Sequence, residues 1–162
     1  TALRTRRLPV GRAGMSKPDF RVIEADYTRD LPRLRAVREP VFVMEQQVPL
    51  DLEWDTIDPD CRHVLALDAE DRPVGTGRLT PQHSIGRMAV LPDWRGKGVG
   101  DALLIQLIAL ARDAGWPSVS LHAQVDALGF YRKHGFVAEG GIYTEAGILH
   151  QNMTLDLTNA GN

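Results

Sequence analysis

A single cysteine, Cys61, stands in a chain of 162 residues. That scarcity excludes an internal disulfide and a cysteine-rich zinc site, and it fits a reducing compartment, with the cytoplasm as the expected location. No apolar run approaches the ~20 residues of a membrane-spanning helix. An excess of either charge is missing as well: 19 Lys and Arg stand against 21 Asp and Glu, a formal net charge of −2. No overall basic field draws the chain to nucleic acid or to an anionic membrane surface. Internal repeats, low-complexity tracts and a second composition regime are also lacking. What remains, 43% hydrophobic and 25% charged residues, is the composition of a globular protein of one ordinary domain.

The opening stretch "TALRTRRLPVGRAG" carries Arg4, Arg6, Arg7 and Arg12 and no acidic residue. It lacks the apolar centre of a secretory signal. A disordered leader over 1–17 is expected, with Met15 as a candidate natural start and a transit peptide as the alternative. The folded domain is expected over 18–158 and a tail over 159–162.

Hydrophobic periodicity supplies the elements. Alternation predicts strands over 20–27, 62–68, 73–80, 84–92 and 118–124, with a closing pair over 136–140 and 147–157 around a turn near Tyr143–Gly147. Helical spacing predicts helices over 30–47, 99–114 and 125–135. Pro40 is expected to break or kink the first, Gly115 and Pro117 to stop the second, and Asp126 and Gly135 to cap and stop the third. An acidic loop, 48–60, follows the first helix. The order β-α-β-β-β-α-β-α-β-β makes the class α/β with a mixed sheet.

The stretch "PDWRGKGVGDALL" places Gly96, Gly98 and Gly100 directly before the strongest helix. A helix N-terminus leaves backbone N–H groups unpaired and carries roughly half a positive charge. Glycine lets that backbone turn sharply and lets an anion approach it. With Arg95 and Lys97 alongside, "RGKGVG" suits a phosphate or pyrophosphate. A Walker loop would need Ser or Thr after Gly-Lys, where Gly98 stands. A dinucleotide fingerprint would need G-x-G-x-x-G, where the spacing is G-x-G-x-G. A glycine-rich turn with no ligand is the remaining alternative.

Arg95-Gly96-Lys97-Gly98-Val99-Gly100 resembles the R/Q-x-x-G-x-G/A signature of the GNAT superfamily of acyl-CoA N-acyltransferases. "IGRMAVLPDW" resembles that family's fourth strand. "LHAQVDALGFYRKHGFVAEG" resembles its next block, through Phe130, Tyr131, Gly135 and Phe136. The likeness runs over about 20–157, and "VFVMEQQVP", "EWDTIDPDCRH", "GRLT" and "GILHQNM" are similar to the ElaA-like branch.

The resemblance implies a mostly antiparallel sheet with splayed central strands flanked by helices. It implies acetyl-CoA as cosubstrate, with no metal. Met88, Ala89 and Val90 would offer backbone groups to the pantetheine arm, with Val90 N–H on the oxyanion. The stretch from Arg95 through Gly96, Lys97, Gly98 and Val99 to Gly100 would hold the pyrophosphate. Phe130 would pack against the cofactor. Gln124 would bond the pantetheine or cap the next helix. Tyr131 would protonate the departing thiolate, or else pack and donate a structural hydrogen bond. Asp101 stands oddly near an anion site.

An alkylamine is neutral in only roughly one molecule in 2,500 at pH 7, so a proton acceptor is needed. The loop offers Asp51, Glu53, Asp55, Asp58 and Asp60, either as a cation-attracting wall or as a solvated loop. Glu53 is the preferred base, with Glu45 as the other candidate. Asp51-x-Glu53-x-Asp55 begins like an EF-hand loop, but Thr56 and Arg62 occupy positions that calcium binding reserves for Gly and Glu. His63, His83, His122, His134 and His150 lack zinc spacing. Of these, His122 and His150 are the two to test, a structural role being the alternative for each. The expected function is transfer of an acetyl group to a primary amine, small-molecule or peptide, by direct attack in a ternary complex. A non-catalytic acyl-CoA sensor, or a nucleotide-phosphate binder with another activity, is the alternative. Pairing of the closing strands across a homodimer stays open.

Overall fold

A computed structural model describes residues 19–48 and 53–158; the expected leader, the tail and Asp51 lie outside the described residues. Seven strands form one sheet in the order β1-β2-β3-β4-β5-β7-β6. They are β1 (Phe20–Ala25), β2 (Arg62–Asp68), β3 (Pro73–Leu79), β4 (Ser84–Val90), β5 (Ser118–Gln124), β6 (Val137–Glu145) and β7 (Ile148–Asp156). Every neighbouring pair is antiparallel except β4 and β5. The mixed, mostly antiparallel α/β class expected from the sequence is the one observed.

Helix α1 (Leu31–Arg38) packs on one face of the sheet. Its Leu34 meets Leu65 and Leu67, and Val37 meets Ala89. Pro40 does not end it. The chain continues as a π-helix over Glu39–Glu45, with Gln46 N–H donating to Val41 O at 3.0 Å. A proline has no N–H and crowds the carbonyl four residues back. Widening the turn keeps the chain helical where an α-turn would break.

Helix α2 (Val99–Asp113) packs on the opposite face through Val99, Leu103, Leu104 and Leu107. Gly75 makes this approach close: a Cβ there would stand 2.9 Å from Val99 Cγ1. The short α3 (Leu128–Arg132) follows a 3₁₀ turn at Val125–Ala127. Asp126 therefore lies inside that turn and does not cap it; Gln124 takes the cap position, with no side-chain hydrogen bond. Gly135, at φ +96°, stops the helix as expected.

The sheet parts at its centre. β4 and β5 pair only at Ser84↔Ser120 and Ile85↔Leu121. Immediately beyond, β4 bulges. Thr76 faces Ala89 but Arg78 faces Gly86, so β4 spends one residue more than β3, and Arg87 takes φ +48°. A bulge bends its strand and raises the local twist, which turns the rest of β4 away from β5. The splay implied by the resemblance is present.

Candidate active site

Successive residues of a strand turn their backbone groups to alternate sides. Leu91 N–H donates to Val74 O at 2.9 Å. The N–H and C=O of Val90 therefore point away from β3, into the gap, and Arg95 Nε reaches Val90 O from that side at 2.9 Å. The gap widens into a cleft of about 650 Å³, bounded by Phe42, Gln46 and Glu53 on the α1 side and by Ala127 and Tyr131 on the α3 side. Met88, Gln124 and His150 line it between these walls.

The glycine turn stands at the end of this gap. Gly96 and Gly98 sit at φ +76° and +86°, and a Cβ at either would meet nothing within 4 Å. Glycine is required by the backbone there, not by crowding. Gly98 caps α2, and Ala102 N–H, donating to Gly98 O at 3.1 Å, makes the first bond of the helix. The N–H groups of Val99, Gly100 and Asp101 precede it and have no intrahelical acceptor. Phe130 packs beside Gly100, its Cζ at an ordinary contact distance of 3.5 Å from an added Cβ. Lys97 Nζ stands 5.4 Å over the Trp94 ring.

Two charges near the turn are already partnered. Arg95 forms a two-pronged pair with Glu45, at 2.6 and 2.9 Å. This turns its guanidinium toward the π-helix, and its hydrogen bonds hold the Glu45 carboxyl below the usual range. Glu45 is thereby a poor base. Asp101 accepts from His134 Nε2 at 2.7 Å and pairs with Lys133 at 3.1 Å. Burial works to raise its pKa, but these partners keep it lowered. The acid is anchored to the end of α3 and faces away from an anion on the turn.

Tyr131 lies across the gap from β4, its hydroxyl 3.9 Å from Met88 Sδ. Phe130 and Phe136 pack edge-on to its ring. Burial pushes its phenol up to about 12, so it holds its proton throughout the neutral range. Gln124 Nε2 reaches Gln46 Oε1 at 3.4 Å.

Of the described acids of the loop, three are neither solvated nor a free anionic wall. Glu53, Asp55 and Asp58 fold inward onto Arg38, Arg78 and Arg87. Arg38 donates Nε to Glu53 Oε2 at 2.6 Å and Nη1 to Asp58 Oδ1 at 2.9 Å, with its guanidinium carbon 3.8 Å from the centre of the Trp54 ring. Arg78 Nη1 reaches Asp55 and Asp58 at 3.0 Å. Arg87 Nε donates to Glu53 O at 3.2 Å and stands 3.6 Å from Glu53 Oε1. Burial pushes the Glu53 carboxyl above its usual range, against the pull of Arg38 and Arg87. That direction suits a base; the geometry makes the group a counter-ion. Asp60 alone of the described loop acids is a plain exposed residue beyond these partners.

The arginines of this lattice were missed in the sequence. The available signal was a charged residue inside each of three apolar segments, "AVREPV", "GTGRLT" and "IGRMAV", opposite a loop of matching acids. Residues directly opposite in antiparallel strands share a face. Gln124↔His150, His122↔Asn152 and Tyr143↔His150 therefore put two histidines on the α1 side of the sheet. His122 is exposed and pairs with Glu145 at 3.0 Å. His150 is buried. Among the described residues no group of three or more His, Cys, Asp and Glu is placed to hold a metal, and no helix is long and apolar enough to cross a membrane.

A family model described as "Acetyltransferase (GNAT) domain" matches residues 41–157. Among curated proteins, the uncharacterized N-acetyltransferase YjcF of Bacillus subtilis is 39% identical over 124 residues, 74% of this chain and 88% of that protein. Among solved structures, Escherichia coli ElaA superposes with a TM-score of 0.75 at 28% identity, covering 85% of this chain and 100% of its own. An acyl-CoA N-acyltransferase from Pseudomonas aeruginosa gives 0.74 at 27% identity, covering 85% and 99%.

Proposed function

Because the chain belongs to the GNAT acetyltransferase family, we propose that it moves an acetyl group from acetyl-CoA to the nitrogen of a primary amine by direct attack in a ternary complex. One observation carries this reading: β4 parts from β5 after Ile85, just upstream of the glycine turn that opens α2. An exposed backbone edge and an anion cradle then follow one another along the chain, as an extended ligand ending in a diphosphate requires.

The N–H groups from Gly96 to Gly100 receive the diphosphate, with Lys97 beside them. Met88, Ala89 and Val90 flank the pantetheine arm, with Phe130 and Gln124 against it. The amine nitrogen attacks the thioester carbonyl, and Val90 N–H, aimed into the gap, steadies the developing oxyanion. The C–N bond forms as the C–S bond breaks. The thiolate takes the phenolic proton of Tyr131, which its desolvated surroundings keep available. Glu53 serves by holding Arg38 and Arg87 at the cleft wall. The single buried cysteine supports a reducing compartment, the cytoplasm, as the place of action.

The test is release of CoA from acetyl-CoA against a panel of amines and peptide N-termini, with the Tyr131→Phe variant in parallel. Turnover should fall by about 10²-fold or more in the variant while its affinity for CoA stays unchanged. Binding of CoA without any turnover, in the unsubstituted protein, would instead leave an acyl-CoA-binding module.

A further inference from the structure

The described cleft residues include several groups able to take a proton, and most are committed. Glu53 is held by Arg38 and faces Arg87. Glu145 and His122 pair with each other in solvent. Tyr131 keeps its proton. His150 differs from all of these. It is 7% exposed, yet it lines the cleft.

Its Nδ1 lies 2.8 Å from Ile148 O. A carbonyl only accepts, so Nδ1 carries the hydrogen, and in the neutral ring the lone pair then belongs to Nε2. No described group hydrogen-bonds Nε2. The Tyr143 ring stacks on the imidazole, 6.0 Å between centres and 22° between planes, which fixes the plane of the ring. A base oriented by a second group is the arrangement proton abstraction calls for.

We infer that His150 Nε2 accepts the proton of the attacking amine, and that Ile148 O and Tyr143 orient it; the inference rests on the acyl transfer proposed above. The acceptor attacks as the neutral amine, its ammonium proton already left to solvent, and yields one N–H proton to Nε2 as the C–N bond forms. The resulting imidazolium is steadied by the Nδ1–H bond to Ile148 O. Tyr131 gives its own proton to the thiolate, and the proton on His150 then restores the phenol through solvent, so the cycle consumes none. The charged and titratable groups that face the same cleft are Glu53, Arg78, Arg87, His122, Glu145 and Tyr131. The first three belong to the charge-matched lattice, His122 and Glu145 offset each other, and Tyr131 is neutral.

The experiment is the pH profile of kcat/KM for CoA release, run on the unsubstituted protein, His150→Gln and Glu53→Gln, with the CoA dissociation constant measured for each. The unsubstituted protein should show a one-proton rise on the acid side. His150→Gln should lose that rise, fall by about 10²-fold in kcat/KM, keep its CoA affinity and recover activity with added imidazole. Histidine ¹⁵N spectra of the unsubstituted protein should show His150 protonated on Nδ1, a readout that needs no variant to fold. An unaltered acid limb in His150→Gln overturns the inference, as does its disappearance in Glu53→Gln alone or an Nε2–H tautomer. Absence of turnover in the unsubstituted protein overturns the acyl-transfer reading first, and this one with it.

Discussion

Arg38 and Glu53 hold each other at 2.6 Å with both side chains 1% exposed. Arg38 comes from the last turn of α1 and Glu53 from the loop beyond the π-helix, so the pair fastens that loop to the cleft wall. Removing one partner from a buried pair leaves a charge with no solvent to receive it.

Arg38→Met should accordingly cost about 3–5 kcal/mol, since buried Glu53 loses its close donor and buried Asp58 is left with Arg78 as its one cation. Urea denaturation is the measurement. A loss below ~1 kcal/mol would mean that the lattice is solvated and that the cleft wall has some other support.

Gly98→Ala tests the glycine turn. A Cβ has space there, so the cost is that of holding an L-residue at φ +86°, about 1–2 kcal/mol. CoA affinity should drop with it. Gly129→Ala is the control: it also meets nothing within 4 Å, its φ is not positive, and it lies inside α3, so alanine should be neutral or stabilising there.

Stability should vary with pH in two separate windows. Burial pushes the His63 imidazole below its ordinary 6.5. The folded chain therefore binds fewer protons than the unfolded one between the folded pKa and 6.5, and stability is lost as pH falls through that window, by up to ~1.4 kcal/mol per unit. Asp58 is penalised by burial but brought down to about 2 by Arg38 and Arg78. Its contribution is present above 3.8 and lost as pH falls toward 2. Urea midpoints from pH 7 to pH 3 should show the first slope, and His63→Gln should flatten it while leaving the acid-side loss in place.

The succession of strands and helices along the chain and the glycine turn were legible because each rests on a local signal. Alternation fixed β5 to the residue, over 118–124. Gly98 announced a positive φ that few other residues tolerate. What depended on distant partners was harder. Arg78 and Arg87 read as ordinary strand residues until the acidic loop was brought over them, and the loop read as either a cation-attracting wall or solvated for the same reason. Pro40 read as a break because the π-helical turn that absorbs it has no signature of its own. Asp126 read as a cap because Asp favours that position, whereas the chain turns one residue earlier, at Val125. His150 stood level with His122 as one of two histidines to test until the register of β7 set it opposite both Gln124 and Tyr143.

The wedge between β4 and β5 has two unlike walls, one carrying Phe42, Gln46 and Glu53 and the other carrying Ala127 and Tyr131. On the acyl transfer proposed above, the donor would lie along one wall, from the glycine turn, and the acceptor would approach along the other. Neither substrate of that reaction would then have to wait for the other to load. Steric logic of this kind favours random-order kinetics, with each substrate finding its own half of the protein already built.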